Sequence, residues 1–169
     1  MRSIASSMIE LEQKFNELYE ANADSVFRMC LFKTSNREVA LDLSQDIFTR
    51  VWGYLVDGNE VENLRAFLFT VARNRIKDYY KKKKTFSFTN AGIEDEEELL
   101  PSDSVTSDRA EHLELISIIQ KLPPQHAELI QLRYIEGLPI EEIALIYNAR
   151  PNTLSVKIHR ILKSIREEL

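Results

Sequence analysis

The C-terminal residues carry side chains suited to binding DNA. Basic and short polar residues recur on one side of a predicted helix, whereas Leu154, Ile158 and Ile161 recur on the other. Long cations pair with phosphate oxygens, and short polar groups can hydrogen-bond base edges in the major groove. A plain amphipathic helix with a solvated face fits the same pattern. The candidate contacts are Arg150, Asn152, Thr153, Ser155, Val156, Lys157, His159, Arg160 and Lys163.

A tight corner must position this helix. The apolar spacing predicts helices over residues 139–147 and 151–167, with Asn148 between them. Asn tolerates left-handed backbone angles, and Pro151 fits the first turn of a helix because its missing N–H costs nothing there. The pair is typical of a helix–turn–helix.

The net charge of −5 does not exclude DNA binding, because the charge is unevenly distributed. Residues 65–84 hold eight basic residues and one acidic residue, whereas residues 85–111 hold one basic residue and eight acidic ones. Charges act over roughly 8–10 Å in physiological salt, so the local field decides binding. In the basic segment, aromatic residues are interleaved with Lys77 and the lysines at 81–84, a composition that can follow a backbone and stack on unpaired bases. A solvated basic helix end is the alternative.

The predicted helix over residues 37–56 carries two apolar faces. Ala40, Leu43, Ile47, Val51 and Tyr54 form one stripe, and a second face contains Leu41, Gln45, Phe48 and Trp52, edged by Asp42, Asp46 and Thr49. Exposed aromatic residues bordered by carboxylates suit a protein partner. A helix lying between two others, with both faces in the core, fits equally well.

The fold class is all-α, with two small helical domains. The pattern predicts a helical bundle over residues 1–84, with helices at 8–33 (broken near residues 22–24), 37–56 and 62–83. An acidic flexible linker follows at 85–108, where clustered acids and Ser/Thr replace the helical stripe. A four-helix domain over residues 109–169 completes the chain, with helices at 109–121, 124–136, 139–147 and 151–167. Asp108 and Glu111 have the spacing of a capping box.

Several function classes have no support in the sequence. The three histidines lack metal-ligand spacing, and no phosphate-binding glycine loop or nucleophile motif is present. We therefore expect no enzyme activity, metal or cofactor. The single cysteine, the absence of a long apolar run and the acidic residues in the N-terminal segment lead us to expect a cytoplasmic protein without membrane insertion.

Two sets of motifs resemble bacterial sigma factors. LPPQHAELIQLRYIEGLPIEEIALIYNARPNTLSVKIHRILKSIREEL is similar to region 4, and residues 15–84, with DLSQDIFTRVW and RAFLFTVARNRIKDYYKKKK, are similar to region 2. With no region 3 between them, the chain resembles the extracytoplasmic-function (ECF) type of the sigma-70 family. Asn148 replaces the usual Gly at the corner, and Pro139 and Arg150 stand where a capping Ser is commoner.

The resemblance implies a promoter-specificity subunit that binds core RNA polymerase and initiates transcription. It implies contacts with the β′ clamp helices and the β flap, recognition of the −35 element by the helix–turn–helix, and an acidic linker in the polymerase's basic channel. It also allows for an anti-sigma factor as a partner. The implied clamp-helix contacts are Asp42, Gln45, Asp46, Phe48 and Trp52, and the implied −10 contacts are Asn59, Asn63, Arg65, Arg73, Asn74 and Lys77.

The alternative is an autonomous helix–turn–helix regulator whose first domain dimerises or senses a signal. The acidic linker discriminates between the two functions. Repelling DNA hinders a free binder, whereas it is useful in a subunit that engages promoters only within the polymerase.

Overall fold

The structure, a computed structural model, describes residues 4–89 and 116–168, with side-chain surroundings for residues 7–84 and 116–167. The chain divides into two compact units, Met1–Leu99 and Leu100–Leu169, called unit 1 and unit 2 below. Within the described ranges the regular elements are helices and no strand occurs, as predicted. Unit 1 contains α1 (Ile4–Thr34), α2 (Arg37–Val56) and α3 (Leu64–Thr89). Unit 2 contains α4 (helical residues 116–121), α5 (Pro124–Ile130), α6 (Ile140–Tyr147) and α7 (Pro151–Glu168).

The three helices of unit 1 enclose one apolar core. Val26 and Cys30 of α1, Ile47 of α2, and Leu68 and Phe69 of α3 are all completely buried. Full burial of a side chain of this size contributes roughly 1.5–3 kcal/mol. Packing between the helices therefore holds the bundle together, and it fixes which face of α2 and of α3 remains for a partner.

The predicted break in α1 is wrong, because α1 runs without interruption through residues 22–24. Asn22 is a weak helix former, but its buried amide finds partners on both sides. Its Nδ2 donates to the carbonyl of Leu18 (2.9 Å), and its Oδ1 accepts from Nε of Arg65 on α3 (3.2 Å). A tertiary hydrogen bond therefore overrides local propensity.

Side-chain caps define the starts of α2 and α3. Asn36 Oδ1 accepts from the backbone N–H of Val39 (3.0 Å), and Asn63 Oδ1 accepts from that of Ala66 (2.9 Å). Each satisfies a donor at a helix start that has no intrahelical partner. Ser35 makes the sharp turn between α1 and α2 with φ of 51°.

The C-terminal part of α3 is tied back to α1. The Tyr80 hydroxyl donates to the carbonyl of Lys33, and the Tyr79 and Tyr80 rings meet edge-on with centroids 5.5 Å apart. Burial and the Tyr79 phenol together raise the pKa of Tyr80, although Lys83 acts in the opposite direction. α3 continues to Thr89, past the expected end of the domain at residue 84.

Cys30 lies beneath the α1–α2 turn. It is fully buried, and desolvation raises the pKa of its thiol to about 12. Its backbone carbonyl accepts from the Thr34 hydroxyl (2.8 Å) near the end of α1.

Unit 2 departs from the predicted helix over residues 124–136. α5 ends at Ile130, and residues Gln131–Ile135 form a π-helical turn. The N–H of Glu136 donates to the carbonyl of Gln131 (2.9 Å), and that of Leu138 donates to the carbonyl of Leu132 (3.0 Å). Arg133 Nη1 also donates to the Leu138 carbonyl (2.9 Å), which closes the corner before α6. Gly137 occupies this corner with φ of 67°, an angle that Gly adopts without strain.

The predicted capping box at Asp108 and Glu111 lies outside the described residues, as does most of the predicted linker. Among the helices that the structure describes, none combines the length and the apolar character needed to cross a bilayer.

Candidate DNA-binding and protein-binding surfaces

The corner between α6 and α7 has the geometry that the sequence predicts. Asn148 adopts φ of 47° and ψ of 50°, the left-handed conformation that ends α6. The N–H of Ala149 donates to the carbonyl of Ala144 (3.0 Å), which satisfies a group at the helix end. Pro151 then begins α7. The two helices therefore form a helix–turn–helix with no need for a glycine at the corner.

α7 has one packed side and one exposed side. Leu154, Ile158 and Ile161 are buried, with 2–6% of their surface exposed. Lys157 is partly exposed, and Lys163 lies 3.8 Å from Glu167, an exposed pair of small energetic weight. The other predicted contacts are exposed, and they are Arg150, Asn152, Thr153, Ser155, Val156, His159 and Arg160.

A groove runs along each flank of α7. The groove between α5 and α7 has a volume of about 850 Å³ and is lined by His126 together with polar and apolar residues of α7 between Asn152 and Ser164. The other groove, of about 260 Å³, is lined by Arg133, Tyr134 and Ile140 together with residues of α7 that include Ser155 and Leu162. Helical periodicity places these α7 residues on opposite flanks. The groove facing α5 has the larger volume and is the more cationic, because it includes Lys157 and Arg160 whereas the other includes Arg133.

Sequence reasoning missed His126. It follows the Pro123–Pro124 joint on α5, far from α7 in sequence. The long C-terminal motif includes it, but it belongs to no charge cluster and to no predicted contact face. Only the packing of α5 against α7 brings it beside Asn152 and Lys157. Pattern analysis of one segment at a time contains no signal for such a residue.

The second face of α2 is mostly a packing face. Phe48 is only 5% exposed, so the expectation that it belongs to an exposed stripe is wrong for this residue. Its ring lies 4.7 Å from that of Tyr19 and 6.3 Å from that of Phe15, both on α1. Phe15 also contacts Trp52, with centroids 5.0 Å apart. This face of α2 therefore packs against α1, and Phe48 belongs to the core of unit 1.

What α1 and α2 leave exposed here is the margin of that aromatic cluster. Leu41 is 42% exposed and Tyr19 is 48% exposed, Asp42 and Gln45 are also exposed, and Trp52 is partly exposed. The surface offered to a partner thus combines polar groups with the edges of aromatic rings, a composition suited to protein recognition.

Asp46 is committed to ion pairs within unit 1. Its Oδ2 accepts from Arg50 Nε (2.9 Å) on α2 and from Arg75 Nε (2.5 Å) on α3. Partial burial raises the pKa of Asp46, but the hydrogen bonds and charges of Arg50 and Arg75 outweigh this effect and leave the pKa below its ordinary value. The carboxylate therefore links α2 to α3 and stays charged at neutral pH.

The predicted −10 contacts divide into two groups. Asn59 Nδ2 donates to the carbonyl of Tyr54 (2.9 Å) at the end of α2, Asn63 caps α3, and Arg65 is bonded to Asn22. Asn59 and Asn63 thus hold the two ends of the 57–63 loop, and Arg65 joins α3 to α1. Arg73 is partly exposed and interacts within the chain, whereas Asn74 and Lys77 are exposed on α3.

Two family models match the chain. The model described as Sigma-70 region 2 matches residues 18–86, and the model described as Sigma-70, region 4 matches residues 112–165. Together they span most of the chain, and they coincide with the regions that the sequence motifs identified.

Similar proteins cover nearly the whole length. The ECF RNA polymerase sigma factor SigW of Bacillus subtilis is 27% identical over 94% of this chain and 90% of its own length. The RNA polymerase sigma factor YlaC of the same organism is 26% identical over 94% and 91%. The sigma factor RpoE from Bartonella quintana, solved with the anti-sigma factor NepR, aligns with a TM-score of 0.72 at 22% identity, covering 92% of this chain and 96% of that chain. CnrH, solved with the cytosolic domain of CnrY, aligns with a TM-score of 0.66 at 19% identity, covering 92% of this chain and 87% of that chain. The fold is thus shared with these two structures.

Proposed function

The chain belongs to the sigma-70 family as a sigma factor of the ECF type, and from this premise we propose how its two units direct RNA polymerase to a promoter. Unit 1 binds the core enzyme and the −10 element, and unit 2 binds the −35 element. The observation that carries this assignment is the exposed polar and basic side of α7, held by a helix–turn–helix corner in the unit that matches region 4.

In unit 2, the N-terminal residues of α7 read bases and its later cations position the helix. Recognition helices dock with their N-terminal residues against base edges, so Asn152, Thr153, Ser155 and Val156 lie nearest the groove floor. Arg160 and Lys163 are further along the helix, where long side chains can reach phosphates. The β flap of the polymerase is a further partner that we assign to this unit.

In unit 1, the clamp helices of the β′ subunit contact the margin of the aromatic cluster. Asp42, Gln45 and the exposed part of Trp52 supply this contact, whereas Phe48 and Asp46 hold α2 in position. Exposed polar groups around a partly buried aromatic ring are suited to such an interface.

The −10 element lies along α3 in this proposal. Asn74 and Lys77 are exposed there, and the exposed lysines at 81–84 extend the cationic surface along the helix. Asn59 and Asn63 contribute chiefly by fixing the loop that precedes α3, and Arg65 by joining α3 to α1.

An anti-sigma factor is a further proposed partner. RpoE and CnrH, which share the fold, were each solved with a protein partner. A protein covering the α2 surface would compete with the polymerase for it. No step of this function requires the chain to catalyse a reaction.

Transcription in vitro tests the assignment. Core polymerase is assayed with and without this protein on a library of promoters randomised at both elements. We expect specific transcripts only when the protein is present, and we expect the free protein to bind the selected promoters poorly. Tight, sequence-specific binding by the free protein at physiological salt, with no effect on the polymerase, would instead indicate the autonomous regulator.

A further inference from the structure

The groove between α5 and α7 is lined by one residue that lies outside the helix–turn–helix, His126 of α5. His126 of α5 faces polar residues of α7 across it, and among the residues lining it none is acidic. The backbone N–H of His126 already donates to the carbonyl of Pro123 (2.8 Å), so its imidazole is the group left for a ligand. The donor side chains in the groove are His126, Asn152, Thr153, Lys157, Arg160 and Ser164, and Val156 and Ile161 supply an apolar part of the lining.

This set of donors selects an anionic ligand rich in acceptors. Lys157 and Arg160 bring two positive charges, and His126 and Ser164 can each donate a hydrogen bond. Charge-assisted hydrogen bonds to phosphate are stronger than those between neutral groups. A phosphodiester therefore fits the groove better than a neutral or cationic group does.

The position of the groove indicates which phosphodiester. A helix in the major groove, which is about 12 Å wide, has a sugar–phosphate backbone on either side. α7 has a groove on each flank, and the one facing α5 is the more cationic. One DNA strand passing along this flank would meet α7 and α5 together.

We propose that His126 is a further DNA-contacting residue, whose imidazole donates a hydrogen bond to a phosphate of the strand that passes between α5 and α7. The inference rests on the proposed function of unit 2 as the reader of the −35 element. The contact holds α5 against the backbone and fixes the position of α7, but it reads no base. His126 thereby acts with Lys157 and Arg160 in setting affinity.

The test uses holoenzyme assembled from core polymerase and the full chain, on promoter fragments that the wild-type holoenzyme selects from the randomised library. Binding is measured against salt concentration for wild type, His126→Ala and His126→Arg. Ser117→Arg is the matched control, because Ser117 is exposed on α4 and lines neither groove.

We expect His126→Ala to weaken binding about tenfold, as the loss of one hydrogen bond to a charged group does, and by the same factor for fragments with different upstream bases. We expect His126→Arg to bind more tightly than His126→Ala. Its slope of log binding constant against log salt concentration should be steeper than that of wild type by about 0.9. Partial unfolding weakens binding but adds no phosphate contact. A steeper slope in His126→Arg therefore indicates a new contact with DNA and not a change in stability.

Three results would overturn the inference while leaving the proposed function intact. They are wild-type affinity in His126→Ala, no change of slope in His126→Arg, and an equal change of slope in Ser117→Arg. If the wild-type holoenzyme selects no promoter at all, the proposed function itself fails.

Discussion

Units 1 and 2 use their candidate contact residues in opposite ways. In unit 1, Phe48 is packed between helices, Asp46 is ion-paired to Arg75, and Asn63 caps α3. In unit 2, α7 buries Leu154 on one side and leaves its polar side exposed. When a helix packs on one face only, its sequence periodicity identifies the opposite face as the one available for binding. A helix packed on two faces does not, because core and partner-facing aromatic residues follow the same periodicity.

Replacing Phe48 should have the largest effect and tests directly whether its face of α2 is a packing face. We expect Phe48→Ala to lower the free energy of unfolding by about 3–5 kcal/mol, since it removes a buried ring and leaves a cavity. Urea denaturation of the full chain, followed by the fluorescence of Trp52, measures the loss. Leu41→Ala serves as the control, because Leu41 is 42% exposed and its truncation should cost far less. A Phe48→Ala protein that is as stable as wild type but fails to bind core polymerase would return Phe48 to the contact surface.

Asn152 tests the other half of the comparison. We expect Asn152→Ala to leave stability unchanged, because the side chain is exposed at the start of α7. It should cost about 1–3 kcal/mol of discrimination at one position of the −35 element. Sequencing of transcripts from the randomised library measures base preference at both elements. A shift in −10 preference would mean that α7 does not dock as proposed.

Asn63 lies between these two cases, since it was predicted to contact DNA and also caps α3. We expect Asn63→Ala to reduce the free energy of unfolding by about 1 kcal/mol through loss of the cap. Asn63→Asp should keep that stability, because Asp caps a helix as well as Asn does. Thermal melting measures the first effect and promoter opening the second. If Asn63→Asp melts like wild type but opens promoters poorly, the side chain also meets DNA.

Replacing Asp46 should give the smallest change in the free energy of unfolding, and that change depends on pH. Because the folded-state pKa of Asp46 lies below its ordinary value, its charged form stabilises unit 1 at neutral pH. This contribution is lost as the pH falls through the folded-state pKa. We therefore expect wild type to be slightly more stable than Asp46→Asn at neutral pH and the difference to shrink on acidification. Urea titrations of both proteins across the acid range measure this difference. If it grew on acidification, the pKa of Asp46 would be raised and not lowered in the folded protein.

Much of the fold was predictable because local chemistry determined it. Asn148 and Pro151 have few backbone options at a corner, and both adopt the predicted ones. The break near Asn22 failed as a prediction because Arg65, distant in sequence, satisfies the amide. The π-helical turn at Gln131–Ile135 was not predicted either, since it depends on hydrogen bonds that the corner before α6 imposes.

The candidate sites divide along the same line. Exposure of α7 follows from its amphipathic pattern, so its exposed candidate residues could be chosen from sequence. The roles of Asn59 and Arg65 could not, because each is bonded to a group outside its own segment. His126 needed the structure for the same reason.

Cys30 gives unit 1 an internal chemical reporter. It is the only cysteine of the chain and is fully buried beneath the turn between α1 and α2. Thiolates, not thiols, react with alkylating reagents, and burial keeps this group protonated at neutral pH. Covalent labelling must therefore wait for the bundle to open, and its rate in native buffer counts those openings. The labelling rate of the unmodified protein thus reports the unfolding of unit 1, and it would fall when a partner holds the three helices together.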